Sequence, residues 1–149
     1  MITTRTQAEP FDTGAEIAAL VAGRDDIGAV VSFTGLVRSD AGLRGLSLEH
    51  YPAMTDRQMV AIAARAWKRW PLFAGTVIHR HGRLVPGDVI VLVAIASPHR
   101  AAAFAAAEFL MDWLKTRAPF WKYEDRGDTQ GWVAAKASDD AAAARWEQP

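Results

Sequence analysis

Residues 114–124 read LKTRAPFWKYE. Lys115, Arg117 and Lys122 stand among Phe120, Trp121 and Tyr123, with Ala118-Pro119 between the first two cations and the aromatics. One reading is a solvated helix end, where Lys115 and Arg117 complement the negative pole of the helix dipole. The other is a cationic, aromatic-walled pocket for an anion. A lysine beside aromatic walls and other cations has its charged form disfavoured by desolvation and by like charge. Such a lysine can exchange protons near neutral pH or attack a carbonyl or acyl group. Lys122 lies beyond the turn, and strand alternation puts Phe120, Lys122 and Glu124 on one face. The stretch by itself leaves both readings open.

A second cationic stretch is Ser97-Pro98-His99-Arg100. Ser97 suits a helix N-cap and Pro98 the first helical position. His99 and Arg100 then fall in the first turn, where free amides and the positive dipole end favour acids. An anion such as a phosphate, held by amides, imidazole and guanidinium, resolves that conflict. The alternative is that both side chains meet water or acidic partners. On one helix over 97–117, His99 and Lys115 lie about 24 Å apart along the axis, at 1.5 Å per residue. That span is long for a small-molecule pocket. Either the sites are unrelated, or one pocket is built from opposite ends of two copies of the helix in a homodimer. Met111, one turn before Lys115, lines the same wall or belongs to the core. Arg38, closing the first strong strand, is equally ambiguous.

These side chains need elements to place them. Thr13 is the expected cap of a short helix, with Glu16 three residues on and Gly23 as its stop. GAVVSFTGLVR (28–38) and LSLEHY (46–51) read as strands around a polar loop at 39–45. Residues 54–70 read as a helix capped by Thr55, with Met59, Ile62, Ala63, Ala66, Trp67 and Trp70 as its apolar stripe. Residues 75–84 and 88–97 form a β pair about a VPG turn. The helix over 97–117 carries Phe104, Ala107, Met111 and Leu114 as its apolar stripe. FWKYE (120–124) and QGWVAA (130–135) read as strands, and 138–146 as a terminal helix capped by Ser138. The expected fold is a single α+β domain over 1–149, with a mainly antiparallel sheet and packed helices.

Composition limits the partners. The chain has 149 residues, half of them hydrophobic, with 17 basic and 17 acidic side chains. Zero net charge gives no global field for nucleic acid or an anionic membrane, so an anion must be held locally. The acidic first twenty residues have no continuous apolar segment, and the run VIVLVAIA is too short to span a bilayer. A soluble cytoplasmic protein is expected. The chain has no cysteine, which removes disulfides, thiolate metal sites and a persulfide on this chain. His79 and His81, at i and i+2, lack a further ligand pattern, so no metal and no cofactor is expected.

The segments GAVVSFTGLVR, LSLEHYPAMT, RWPL, VIHRHGRLVPGDVIV, SPHRAAAF and FLMDWLKTRAPFWKYE together resemble the large, catalytic subunit of molybdopterin synthase. They span 28–124 in order, and the later GWV and SDD…RW also fit. The resemblance implies conversion of cyclic pyranopterin monophosphate (precursor Z) to molybdopterin by insertion of two dithiolene sulfurs. It implies a small ubiquitin-like partner that brings sulfur as a C-terminal Gly-Gly thiocarboxylate. The implied assembly is a heterotetramer around a central homodimer, and the implied fold is hammerhead-like. Lys115 is the implied catalytic lysine and Lys122 the second. Leu36, Val37, Arg38, His99, Arg100, Tyr123 and Glu124 match substrate-binding positions, with His99 and Arg100 supplied by the dimer mate. Phe33 and Met111 match pocket walls, and Lys136 an anion contact from the dimer mate. Leu36, Tyr123 and Lys136 depart from the basic residues, Lys at 36 and Arg at 136, common in relatives. Arg117 is left without a catalytic role.

Overall fold

The computed structural model describes residues 1–134 and 136–147. In chain order the elements are β1 (Ile2–Gln7), α1 (Thr13–Val21), β2 (Ala29–Leu36), β3 (Gly45–His50), α2 (Pro52–Arg69) and β4 (Ala74–Arg80). There follow β5 (Gly82–Leu84), β6 (Val89–Ser97), α3 (Arg100–Thr116), β7 (Phe120–Asp125), β8 (Gln130–Val133) and α4 (Ala137–Ala144), then a short 3₁₀ turn. They build two four-stranded sheets, ordered β1-β4-β6-β2 and β5-β3-β7-β8. All pairings are antiparallel except β1 with β4. The expected α+β class with mainly antiparallel pairing is borne out.

Alternation along the central strands sorts the core. Val77, Val93 and Ile95 face α2 and α3 and pack with Met59, Ile62, Ala103, Phe109 and Leu110. Ile78, Leu92 and Ala94 face the other way, onto Phe11, Ile17 and Leu20 from α1 and its approach. The second sheet has its own cluster of Val37, Leu43, Leu46, Leu48 and Leu84. Small alanines at 102, 103, 106 and 107 let α3 lie close on the first sheet. Phe104, expected in the apolar stripe, is exposed instead, because the alanine face turns it away from the sheet. On α2 the expected stripe is buried from Met59 to Ala66, while Trp67 is partly exposed.

Several boundaries shift for local reasons. Asp12, not Thr13, caps α1, its carboxylate accepting from the Ala15 amide at 3.0 Å. Tyr51 caps α2 with Pro52 at the first position, so Thr55 is internal and buried. The expected strand over 75–84 divides at His81. Gly82 has φ +82°, a conformation glycine adopts without strain, and the chain there passes into the second sheet. His79 therefore stays within β4 while His81 lies outside it. Ser97 stays in β6, paired with Ala29, and its hydroxyl donates to the Pro71 carbonyl. That leaves His99 as the N-cap of α3 and Arg100 as the first helical residue. Lys136, not Ser138, precedes α4 as its cap residue. The strand expected over 130–135 ends at Val133, and its last residue, Ala135, lies outside the described residues. Residues 2–7 form a strand without a hydrophobic signature. ITTRTQ alternates only weakly, and the strand lies at a sheet edge.

Candidate active site

The last turn of α3 ends against the second sheet, and a cavity of about 450 Å³ opens there. Met111, Leu114, Lys115 and Thr116 line it from α3, Phe120 and Lys122 from β7, and Leu48 from β3. His79 and Val91 reach it from β4 and β6, and Lys136, Ser138 and Asp139 from the start of α4. Three lysines from three separate elements thus meet one small volume. Lys115 is exposed at its mouth. Lys122 is half-buried and lies 3.4 Å from Glu124, whose other oxygen accepts from Arg126 at 2.9 Å. The lysine is thereby tethered along its strand face rather than left to swing.

β7 sorts its side chains by parity. Phe120 and Lys122 face the cavity, and Glu124 shares that face. Trp121 and Tyr123 face the other way. Trp121 meets Tyr51 edge-on at 5.3 Å, and Tyr123 meets Trp132 at 5.2 Å and donates to Gln130 at 3.0 Å. The expected aromatic wall around Lys115 is therefore Phe120 alone. Trp121 and Trp132 line a separate depression of about 600 Å³ with Glu49, His50 and Tyr51. No lysine or arginine lines that depression, in contrast to the cavity at the end of α3.

The other sequence-predicted residues lie elsewhere on the chain. His99 and Arg100 are exposed at the opposite end of α3. Arg38 is exposed and pairs with Asp40 at 3.1 Å. Phe33 and Leu36 are exposed on β2, an edge strand. Val37, expected at the substrate, is instead core. It is 5% exposed within the second cluster, and its amide and carbonyl are both hydrogen-bonded, to Asp88 and Gly87. Lys136, expected from a second copy, lines the cavity of its own chain. Arg117 pairs with Glu147 near the last described residues.

A sequence profile described as "MoaE protein" matches residues 6–117. The molybdopterin synthase catalytic subunit of Mesorhizobium japonicum is 59% identical, over 97% of this chain and 93% of its own length. This chain belongs to the MoaE family, that of the molybdopterin synthase catalytic subunits. The resemblance drawn from its motifs is borne out, and the chain is an enzyme subunit of molybdopterin biosynthesis. The solved MoaE protein of Burkholderia ambifaria superposes with a TM-score of 0.84 at 49% identity, covering all of both chains. A complex of subunits 1 and 2 of molybdopterin-converting factor from Helicobacter pylori matches with a TM-score of 0.72. It is 21% identical over 89% of both chains, a likeness of fold alone.

Among the cavity residues of this MoaE chain that sequence reasoning missed, His79 is the buried titratable one. His79 is 8% exposed and its ring stacks on Phe120 at 4.0 Å and 19°. Its Nδ1 lies 2.8 Å from the Arg80 carbonyl oxygen. Burial, with Lys115, His50 and His81 nearby, lowers its pKa to about 4. Read in sequence, it is a polar residue in a buried strand. Only the docking of β7 against the end of β4 places it beside Lys115.

Proposed function

We propose that this chain transfers sulfur from a protein thiocarboxylate to cyclic pyranopterin monophosphate, forming the dithiolene of molybdopterin. The observation that carries the reading is the meeting of Lys115, Lys122 and Lys136 on one cavity in a MoaE-family chain. Both reactants are anionic, a thiocarboxylate and a cyclic phosphate. Fixed ammonium groups attract them and offset charge that builds as the carbon–sulfur bond of the donor breaks. Lys115, at the mouth, acts on the thiocarboxylate carbonyl, and Lys122 supports charge and proton movement beside it. An extended Gly-Gly tail, which has no side chains, suits a cavity of about 450 Å³. With no cysteine, this chain carries no persulfide of its own, which agrees with sulfur arriving on a small ubiquitin-like subunit.

The same reading assigns His99 and Arg100 to the substrate phosphate in a neighbouring copy of the cavity, within a central homodimer flanked by two small subunits. It places the work in the cytoplasm. No helix among the described residues is long and apolar enough to cross a membrane. The test is reconstitution from this chain, a thiocarboxylated partner and cyclic pyranopterin monophosphate, with dithiolene formation followed chromatographically. Product with the thiocarboxylated partner, and none with the plain carboxylate, is expected. Binding of the pterin without product would mark the chain as a carrier of the substrate instead.

A further inference from the structure

His79 sits on the helix-facing side of β4, two residues beyond Val77, where the sheet runs out from under α3. Its ring is fixed twice. Nδ1 lies 2.8 Å from the Arg80 carbonyl oxygen, and the ring plane is held against Phe120. A carbonyl only accepts, so Nδ1 carries the hydrogen, and the neutral ring keeps its lone pair on Nε2. Among the described residues Nε2 has no hydrogen-bond partner, yet it is not sealed in the core. Among the described residues, the one fully enclosed side-chain polar atom without a partner is the Thr55 hydroxyl. The ring instead lines the cavity that Lys115 lines from α3.

We propose that His79 is a positioning residue for Lys115, its Nε2 accepting a hydrogen bond from the lysine side chain and holding it over the cavity. The inference rests on the reading of Lys115 as the acting lysine. The groups that face His79 are Lys115 from α3, His50 from β3 and His81 from the β4–β5 junction. Lys122, Lys136 and Asp139 line the same cavity. Burial and three basic neighbours keep the ring neutral through the physiological range, its pKa lowered to about 4. A neutral acceptor suits this place. A carboxylate would pair with Lys115 and repel the anionic tail and phosphate. An imidazolium could not accept at all. A lysine on a flexible stem loses less freedom at the reacting step when one of its hydrogens is already placed.

The experiment compares turnover of His79→Phe, His79→Gln and Lys115→Ala in the complex with thiocarboxylated partner. Phenylalanine keeps the stack on Phe120 and removes the acceptor. Loss of a hydrogen bond to a charged group predicts a fall in kcat of about tenfold, with KM for the pterin within about twofold. Glutamine offers a carbonyl acceptor and should recover to within about threefold of wild type. Wild-type kcat in His79→Phe, or equal loss in both variants at matched thermal midpoints, would reduce His79 to packing. Turnover in Lys115→Ala would instead overturn the reading of the lysine. Should His79→Phe fail to fold, the wild-type ring reports directly. Its Nε2 nitrogen resonance should move on Lys115→Met, and an unmoved resonance refutes the contact.

Discussion

The two ends of α3 are built differently. At the C-terminal end, Lys115 meets Lys122, Lys136, His79 and Met111 around a cavity supplied by this chain's own two sheets and α4. At the N-terminal end, His99 and Arg100 are exposed on a helix start with no acid in its first turn. Cations at the positive pole of a helix are in the wrong place unless an anion joins them. On the proposed reading, one end is an assembled site and the other is half of one. The 17-residue length of α3 keeps them apart within a chain, so the proposed single pocket requires a second copy.

The strongest way to break this comparison is to disable each end separately and then mix. Lys115→Ala should lower turnover by about a thousandfold, the range of a positioned acid–base group. The His99→Ala/Arg100→Ala double variant should lower kcat/KM by about a hundredfold, through lost anion contacts. If opposite ends complete one pocket across a dimer axis, equal amounts exchanged as dimers should regain about a quarter of wild-type sites. Activity of the mixture no higher than the mean of the two variants would mean that the ends work independently.

Gly28 tests the N-terminal end alone. Its amide donates to the Ser97 carbonyl at 3.1 Å, and a methyl group there would overlap the Pro98 carbonyl oxygen. That oxygen belongs to backbone, so it cannot move without shifting the start of α3. Gly28→Ala should cost about 3 kcal/mol in urea unfolding, the upper range for overpacking. It should also weaken pterin binding more than it alters the Lys115 step. A neutral Gly28→Ala would show that the helix start is compliant.

The asymmetry between the ends also governs what could be read from the sequence. Strand alternation and helical period located most elements, because core residues such as Val77, Val93 and Ile95 carry the pattern. β1 escaped because ITTRTQ has almost no apolar face and takes its place from parallel pairing with β4. Caps moved by one to four residues, where Asp12, or Tyr51 followed by Pro52, offered a better local solution than Thr13 or Thr55. Of the cavity lining, Lys115, Lys122 and Met111 were legible because they are close in sequence around one turn. The aromatic wall was half wrong, since parity sends Trp121 to the far face. Val37 lies in the core, and a motif position does not reveal that its backbone is already paired. His79 was illegible because its meaning depends on Phe120, forty-one residues later.

A pH series reads the finished end of the helix. His79 titrates at about 4 in the folded chain and near 6.5 when unfolded. Between those values the unfolded state binds the extra proton, so stability falls as pH drops through that window. From pH 6.5 to 4.5 the wild type should lose about 2 kcal/mol more than His79→Phe, in paired urea titrations. His50 is shifted in the same direction, by burial and by His81. It is present in both proteins and largely cancels in the difference. Equal losses would place His79 in a wetter setting than its 8% exposure implies.

Arg117 gives the smallest expected effect and the sharpest boundary of the site. It is the cation nearest Lys115 in the motif, yet it lies one residue past α3 and is absent from the cavity lining. Its guanidinium pairs with Glu147, and both side chains are more than half exposed. An exposed pair of this kind contributes about 0.5 kcal/mol or less. Arg117→Ala should therefore leave turnover unchanged and stability within that margin, read by the same two assays. Its charge lies close enough to Lys115 in sequence to matter if the site worked by bulk positive potential. A loss of turnover above about tenfold would show that the field of the whole turn, rather than the placed lysines, draws the anions in.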